Sequence, residues 1–192
     1  MPSTSPILGL VLAGGRSARM GQDKALISYH GKPQYQHVFE LLSSVCDAVY
    51  VSCRAEQKEL FAPLPVLLDS VEDIGPMAAL LAAFEYNPNC AWLVLGCDYP
   101  HFGEAELQQL LDQRDEQAIA TAYFNAAKGW PEPLLAIWEP QAHPLMKAAL
   151  AIGDSSLRRL LEANPVKLVH PAEATPFKSF DTPTDRQSFT AS

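Results

Sequence analysis

The stretch GLVLAGGRSARMGQDKALI (Gly9–Ile27) joins the end of an apolar run to a pair of glycines and then to clustered positive charge. The apolar run Ile7–Leu12 has the composition of a buried strand. Gly14 and Gly15 lack side chains, so the backbone can approach a phosphate closely and direct its N–H groups toward it. We therefore expect the loop after the first strand to bind an anion, with a solvated turn as the alternative.

Basic residues are concentrated near the start of an acidic chain. The 192 residues carry a net charge of −8, yet residues 1–32 contain Arg16, Arg19, Lys24 and Lys32 and only one acidic residue. A small basic island suits a compact anion, whereas a nucleic acid or a membrane surface requires a broad basic face. We therefore expect no nucleic-acid or membrane partner.

The cysteines and the hydropathy pattern indicate where such a protein would reside. The four cysteines, Cys46, Cys53, Cys90 and Cys97, lack the spacing of a zinc site and lie in or beside apolar runs. They are expected to be reduced, buried thiols. No stretch has the length of a membrane span, and the N-terminus lacks a signal-peptide pattern. A cytoplasmic protein is the expectation.

Short apolar runs alternate with helical patterns in the first half of the chain. The expected strands there are Ile7–Leu12, Ala48–Cys53, Pro65–Ser70 and Ala91–Asp98, and the expected helices begin at Pro33 or cover Gly75–Phe84 and Gly103–Gln113. The less regular second half is expected to contain strands Ala118–Phe124, Glu132–Trp138 and Val166–His170 and helices Pro140–Gly153 and Ser155–Asn164. This alternation predicts an α/β fold: one Rossmann-like, three-layer domain over residues 1–192, with a mostly parallel sheet.

Acidic residues occur where predicted strands end. Asp98 follows the fourth strand and Asp69 lies near the end of the third. Ligands of open α/β sheets bind beyond the carboxyl ends of the strands, so both side chains would face the same crevice as the glycine loop. Mg²⁺ is typically held by one or two carboxylates together with phosphates and water. From the residues alone, a turn or helix cap for Asp98 and a loop cap for Asp69 remain open.

The glycine loop fits neither the GxxxxGK[ST] nor the GxGxxG phosphate pattern. It resembles instead the signature LAGG-x-S-x-R-M-G-x-D-K of the molybdenum cofactor guanylyltransferases, which belong to the nucleotidyltransferases. The resemblance implies a loop that wraps the triphosphate of GTP. It implies contacts from Leu12, Ala13 and Gly14 to the nucleotide, and from Arg19 and Lys24 to its phosphates.

The resemblance extends more thinly over nearly the whole chain. CDYP matches a CD-x-P motif whose aspartate, here Asp98, binds magnesium, and Asp69 matches a nucleotide-contacting position. Ser52 stands where some members have a nucleotide-contacting Asn. Gly15 favours guanine, because related cytidylyltransferases carry LAAG. Asp181, in FDTPTD, replaces the family's usual Asn; this favours the cytidylyltransferases and could add a second magnesium ligand.

The implied reaction is the transfer of GMP from GTP to the terminal phosphate of molybdopterin or the molybdenum cofactor, with Mg²⁺ as cofactor and release of pyrophosphate. Residues 7–100 would form the nucleotide-binding half and residues 101–192 the acceptor side. The attacking phosphate is already an anion, so no general base is required, and Arg19, Lys24 and Asp98 are the expected catalytic residues.

Other functions remain open at this stage. The same fold could belong to a cytidylyltransferase, a sugar-1-phosphate nucleotidylyltransferase or a non-catalytic nucleotide-binding regulator. The sequence also leaves the oligomeric state open between a monomer and a weak oligomer.

Overall fold

The computed structural model describes residues 5–14, 23–69, 71, 73–171 and 180. The strands of this part are β1 (Ile7–Leu12), β2 (Ala48–Cys53), β3 (Val66–Leu68), β4 (Ala91–Gly96), β5 (Ala120–Asn125), β6 (Trp130–Trp138) and β7 (Val166–Val169). The α-helices are α1 (Gln34–Ser43), α2 (Pro76–Tyr86), α3 (Glu104–Asp112), α4 (Ala142–Ala151) and α5 (Leu157–Glu162), and Lys24–Leu26 and Ala55–Phe61 form 3-10 helices.

The strands form one sheet in the order β3-β2-β1-β4-β6-β5-β7. The strand β6 runs antiparallel to both its neighbours, β4 and β5, while every other pairing is parallel. Sequence order changes direction between β1 and β4, which is the place where open α/β sheets form a ligand crevice. Leu12 is in register with both Ser52 and Gly96, so β1, β2 and β4 end nearly level. Residues that follow these strands therefore meet at one edge.

Local sequence signals explain where the helices begin. Pro33 precedes α1 and Pro76 is the first residue of α2, where a missing N–H costs nothing. The hydroxyl of Ser156 accepts a hydrogen bond from the Arg159 N–H and caps α5. Pro144 lies in the first turn of α4, as predicted. The predicted helices and strands are all present, with ends shifted by a few residues.

Helices cover both faces of the sheet. Val11 and Leu93 face a buried cluster that includes residues of α1 and α3. Leu10 and Val94 face a second cluster, which includes residues of α2, α4 and α5. The predicted three-layer architecture with a mostly parallel sheet is therefore confirmed. No helix in the described part is long and apolar enough to span a membrane.

The cysteines form no disulfides. All four are free; Cys46 is half-buried and the other three are buried. Burial raises the pKa of the Cys53 thiol to about 11 and that of Cys46 to about 12. Both therefore remain protonated and unreactive near neutral pH, in agreement with the expected packing role.

Candidate active site

A cavity of about 560 Å³ opens at the carboxyl edge of β1, β2 and β4. Its lining includes each described residue that the sequence analysis proposed for the site: Leu12, Ala13, Gly14, Lys24, Ser52, Asp69 and Asp98. The other three candidates, Gly15, Arg19 and Asp181, lie outside the described residues. The structure thus brings the described candidates to one cavity, and their roles in binding and catalysis stay predictions.

Gly14 lies at the point where the backbone after β1 passes closest to β2 and its following loop. The preceding N–H, of Ala13, donates to the Ser52 carbonyl at 3.0 Å. A Cβ on Gly14 would lie 3.2 Å from Asp69 Oδ2 and 3.3 Å from the Cα of Cys53. A larger side chain would therefore press on backbone and displace the Asp69 carboxylate.

Ser52 and Asp69 form a hydrogen-bonded pair on one wall of the cavity. The buried Ser52 hydroxyl donates to Asp69 Oδ1 at 2.6 Å. Burial raises the pKa of Asp69, and this is opposed by the Ser52 hydrogen bond and by the nearby Arg54 guanidinium. The Ser52 hydroxyl is therefore already hydrogen-bonded to Asp69, and the nucleotide contact implied for an Asn at this position stays a prediction.

Asp98 faces the cavity from the turn that follows β4. Its Oδ1 lies so close to Gly96 that a Cβ there would be 2.5 Å away. The backbone carbonyl of Asp98 accepts a hydrogen bond of 2.8 Å from the N–H of Phe180. Phe180 is buried, with its ring edge-on to Tyr29 at 5.6 Å between centroids. The turn is thus joined to a residue near the other end of the chain.

Two further contacts hold the segment that follows Asp98. Nε2 of His30 donates to the Pro100 carbonyl at 2.8 Å. The hydroxyl of Tyr99 donates to Glu132 Oε2 at 3.0 Å. Glu132 belongs to the WPEPL segment of β6, and its other oxygen accepts from Asn125 and from the Lys128 ammonium group, each at 2.7 Å. This buried carboxylate therefore ties the Asp98 turn to the β5–β6 hairpin.

Lys24 begins the 3-10 helix Lys24–Leu26, one residue after the described chain resumes at Asp23. Asp23 caps this helix, since its Oδ1 accepts from the Ala25 N–H at 3.0 Å. Lys24, which directly follows this cap, lines the cavity. A cation and the Gly14 backbone therefore contribute to the same site.

Sequence reasoning missed several charged residues of the cavity lining. Arg54 directly follows β2, Glu56 lies in the 3-10 helix Ala55–Phe61, and Asp73 lies between β3 and α2. The signal for Arg54 was available, because it follows a parallel strand just as Asp98 does. The described lining contains five carboxylates and two cations; the carboxylates are those of Asp23, Glu56, Asp69, Asp73 and Asp98.

This charge balance bears on whether a divalent cation fits. Among the described residues the lining holds more carboxylates than cations, so added positive charge would favour the binding of a triphosphate there. Asp98 offers the oxygen donor that Mg²⁺ prefers, and a site completed by substrate phosphates and water requires only one or two carboxylates. The described residues contain no cluster of three or more metal-binding side chains. The carboxylate oxygens of the cavity therefore fit a divalent cation that binds together with the nucleotide.

Comparisons with known proteins agree with this arrangement. Residues 9–169 match the model of the MobA-like NTP transferase domain. The chain belongs to this family. Its members are nucleotidyltransferases, and the enzyme class expected from the resemblance of the glycine loop is confirmed.

Individual relatives are named as proteins of molybdenum cofactor biosynthesis. It is 32% identical over 168 residues to the molybdenum cofactor guanylyltransferase of Pseudomonas entomophila, covering 85% of this chain and 87% of that protein. It is 35% identical over 185 residues to a molybdenum cofactor biosynthesis bifunctional protein of Synechocystis; that match covers 95% of this chain but only 53% of the relative. The chain thus spans about half the length of the bifunctional protein.

The fold is also found in a solved structure. The crystal structure of molybdopterin-guanine dinucleotide biosynthesis protein A from Archaeoglobus fulgidus superposes with a TM-score of 0.77 at 23% identity, over 94% of this chain and 95% of that one. At this level of identity the likeness establishes the fold.

Proposed function

We propose that the chain transfers GMP from GTP to the terminal phosphate of molybdopterin or the molybdenum cofactor and releases pyrophosphate. The observation that supports this most directly is the meeting of Gly14, Lys24, Asp69 and Asp98 on one cavity at the edge where the sheet reverses its strand order. The acceptor is proposed from the relatives named as guanylyltransferases of this cofactor.

The triphosphate would lie against the glycine turn. Backbone N–H groups after β1 would cradle it, and the Lys24 ammonium group, with the Arg19 guanidinium, would balance its charge. The acceptor phosphate is an anion at neutral pH, so repulsion between two anions is the main obstacle to reaction. Positioning and charge neutralisation, rather than proton transfer, would supply most of the catalysis.

Asp69 would read the base. A carboxylate accepts hydrogen bonds and cannot donate them when ionised. Guanine presents two adjacent donors, N1–H and the N2 amino group, whereas cytosine presents one donor next to an acceptor. The Ser52 hydroxyl fixes one oxygen of Asp69 at 2.6 Å and so orients the carboxylate before a base arrives. This arrangement favours GTP over CTP.

Asp98 would hold Mg²⁺, and Asp181 is the proposed second ligand. Phe180 precedes Asp181 in the sequence and is hydrogen-bonded to the backbone of Asp98. When bound, Mg²⁺ would neutralise charge on the α-phosphate and make its phosphorus more electrophilic.

The residues of this chain divide the work of one displacement. An oxygen of the acceptor phosphate attacks the α-phosphorus of GTP, and the bond from that phosphorus to the bridging oxygen of pyrophosphate breaks. Lys24 and Arg19 would stabilise the charge that accumulates on the departing pyrophosphate. We also propose a cytoplasmic location, because four free cysteines suit a reducing compartment.

The test is turnover with GTP, CTP, ATP and UTP in turn, measured as pyrophosphate release with Mg²⁺, with and without molybdopterin. We expect release with GTP that depends on the pterin, and its loss on removal of the divalent cation or in Asp98→Asn. Preference for CTP, or release that ignores the pterin, would contradict the proposed substrates. Tight nucleotide binding without any release would favour the regulator.

A further inference from the structure

A buried amide lies beside Asp23, and both its nitrogen and its oxygen are hydrogen-bonded. Gln57, in the 3-10 helix Ala55–Phe61, is 5% exposed. Its Nε2 donates to Asp23 Oδ2 at 2.6 Å. Its Oε1 accepts from the backbone N–H and from Nε of Arg54, each at 3.2 Å. Neither the sequence motifs nor the family resemblance pointed to this residue.

These hydrogen bonds fix the orientation of the Asp23 carboxylate. Oδ1 of Asp23 is used by the Ala25 N–H and Oδ2 by Gln57. Lys24 lies between Asp23 and Ala25 in the chain and lines the cavity. Ala13 anchors the other end of the glycine loop through its 3.0 Å hydrogen bond to Ser52. Both ends of the loop are therefore attached to β2 or to the segment after it.

We propose that Gln57 is a positioning residue for Lys24. By engaging Asp23, it keeps that carboxylate from turning toward the adjacent ammonium group and holds Lys24 where the triphosphate binds. A cation fixed in place before the ligand arrives loses less conformational freedom on binding than one that must be ordered. This inference rests on the proposed function, since it assumes that the cavity takes a nucleoside triphosphate.

The first test is the affinity for GTP with Mg²⁺, measured by calorimetry without acceptor. We expect Gln57→Ala to bind about tenfold more weakly, because one hydrogen bond to a charged group is lost. Gln108→Ala is the matched control: the Gln108 amide donates to Asp112 at 2.7 Å on the exposed face of α3, and neither residue lines the cavity. It should bind as the wild type does.

The route through Lys24 is tested by combining substitutions. In a Lys24→Ala background, Gln57→Ala should cost little further affinity, because the group that it positions is gone. If the second substitution still weakened binding about tenfold, Gln57 would act by another route and the proposal would be wrong. A purely structural residue would lower the melting temperature without this dependence on Lys24.

An exchange of donor and acceptor provides a second readout. Gln57→Glu would place two carboxylates against each other, and Asp23→Asn would place two amide donors against each other, so both single variants should bind GTP weakly. In the double variant the new amide at 23 can donate to the new carboxylate at 57, and affinity should return toward that of the wild type. Failure of this rescue in a folded double variant would overturn the proposal.

The outcomes separate this inference from the proposed function. If the wild-type chain binds GTP and Gln57→Ala binds it equally well, only the positioning role falls. If the wild-type chain binds no nucleoside triphosphate, the proposed function falls and this inference with it. Thermal unfolding of each variant confirms that the affinities are those of folded protein.

Discussion

Oδ1 of Asp98 lies so close to Gly96 that a Cβ on the glycine would be 2.5 Å from the carboxylate oxygen. This atom is the end of a side chain and can move, so Gly96→Ala should fold but displace the proposed metal ligand. We expect kcat/KM to fall about tenfold or more with little change in melting temperature. Gly103→Ala, where a Cβ meets only ordinary contacts, is the control. Equal activity in the two variants would show that the carboxylate position is not critical.

Removal of the Lys24 ammonium group should slow the chemical step. For Lys24→Ala we expect a loss of about 10²–10³ in kcat, the usual cost of removing one group that stabilises developing charge. Lys147→Ala, on the exposed side of α4, should keep full activity. Steady-state pyrophosphate release measures both, and unchanged turnover in Lys24→Ala would exclude this catalytic role.

The Asp69 carboxylate should lower the stability of the fold, although in the proposed function it binds the base. Burial raises its pKa, so the folded chain holds this proton more tightly than the unfolded chain does. The free energy of unfolding should therefore rise as pH falls through the raised pKa of Asp69. At neutral pH the ionised carboxylate lowers the free energy of unfolding. Asp69→Asn should melt at or above the wild-type temperature at pH 7, and the difference should shrink on acidification.

The same substitution should impair selection of the base. An amide offers a donor where guanine also presents donors, so we expect Asp69→Asn to raise KM for GTP about tenfold and to reduce preference over CTP. Asp112→Asn, at an exposed carboxylate on α3, should alter neither melting nor selectivity. Melting curves at several pH values and competition between nucleotides measure the two effects. Retained selectivity would remove Asp69 from base recognition.

His37 should make the fold sensitive to acid. Its ring stacks on His30 with centroids 3.9 Å apart, and burial, followed by the charges of His30 and Lys32, lowers its pKa to about 4, while Glu40 opposes this. The unfolded chain therefore takes up this proton first. Stability should decline as pH falls from about 6.5 toward 4 and depend less on this group below that value.

An aromatic ring at position 37 that cannot be protonated should remove this contribution to the pH dependence of stability. His37→Phe is expected to show a shallower loss of melting temperature between those pH values than the wild type. His170→Gln, at an exposed histidine, should follow the wild-type curve. Calorimetric unfolding over the pH range gives the comparison, and parallel curves for wild type and His37→Phe would contradict this account.

Much of the fold could be predicted because local and periodic signals agree. Pro33 and Pro76 mark helix starts, and the apolar runs at β1, β2 and β4 have few interpretations other than buried strands. The direction of β6 could not be read in this way, since an apolar strand looks alike in either direction. Its pairing is set by the tight connection from β5 and by contacts distant in sequence.

The candidate site was predictable where residues lie within one or two positions of a strand's carboxyl end, as with Asp98 and Asp69. Arg54 obeys the same rule and was overlooked. Gly96 and Gln57 could not be found from sequence, because their importance depends on what lies beside them: a carboxylate oxygen for one, and Asp23, 34 residues away, for the other. Such relationships exist only once the chain has folded.

The position of β6 beside β4 has a consequence for how this chain can be divided. A fragment ending near residue 100 would leave β4, which is buried along its whole length, as an open sheet edge with unpaired backbone groups. Exposed apolar edges pair with other chains and aggregate. The two halves of the sheet thus meet at the β4–β6 pairing, and a chain split at its midpoint would expose that edge.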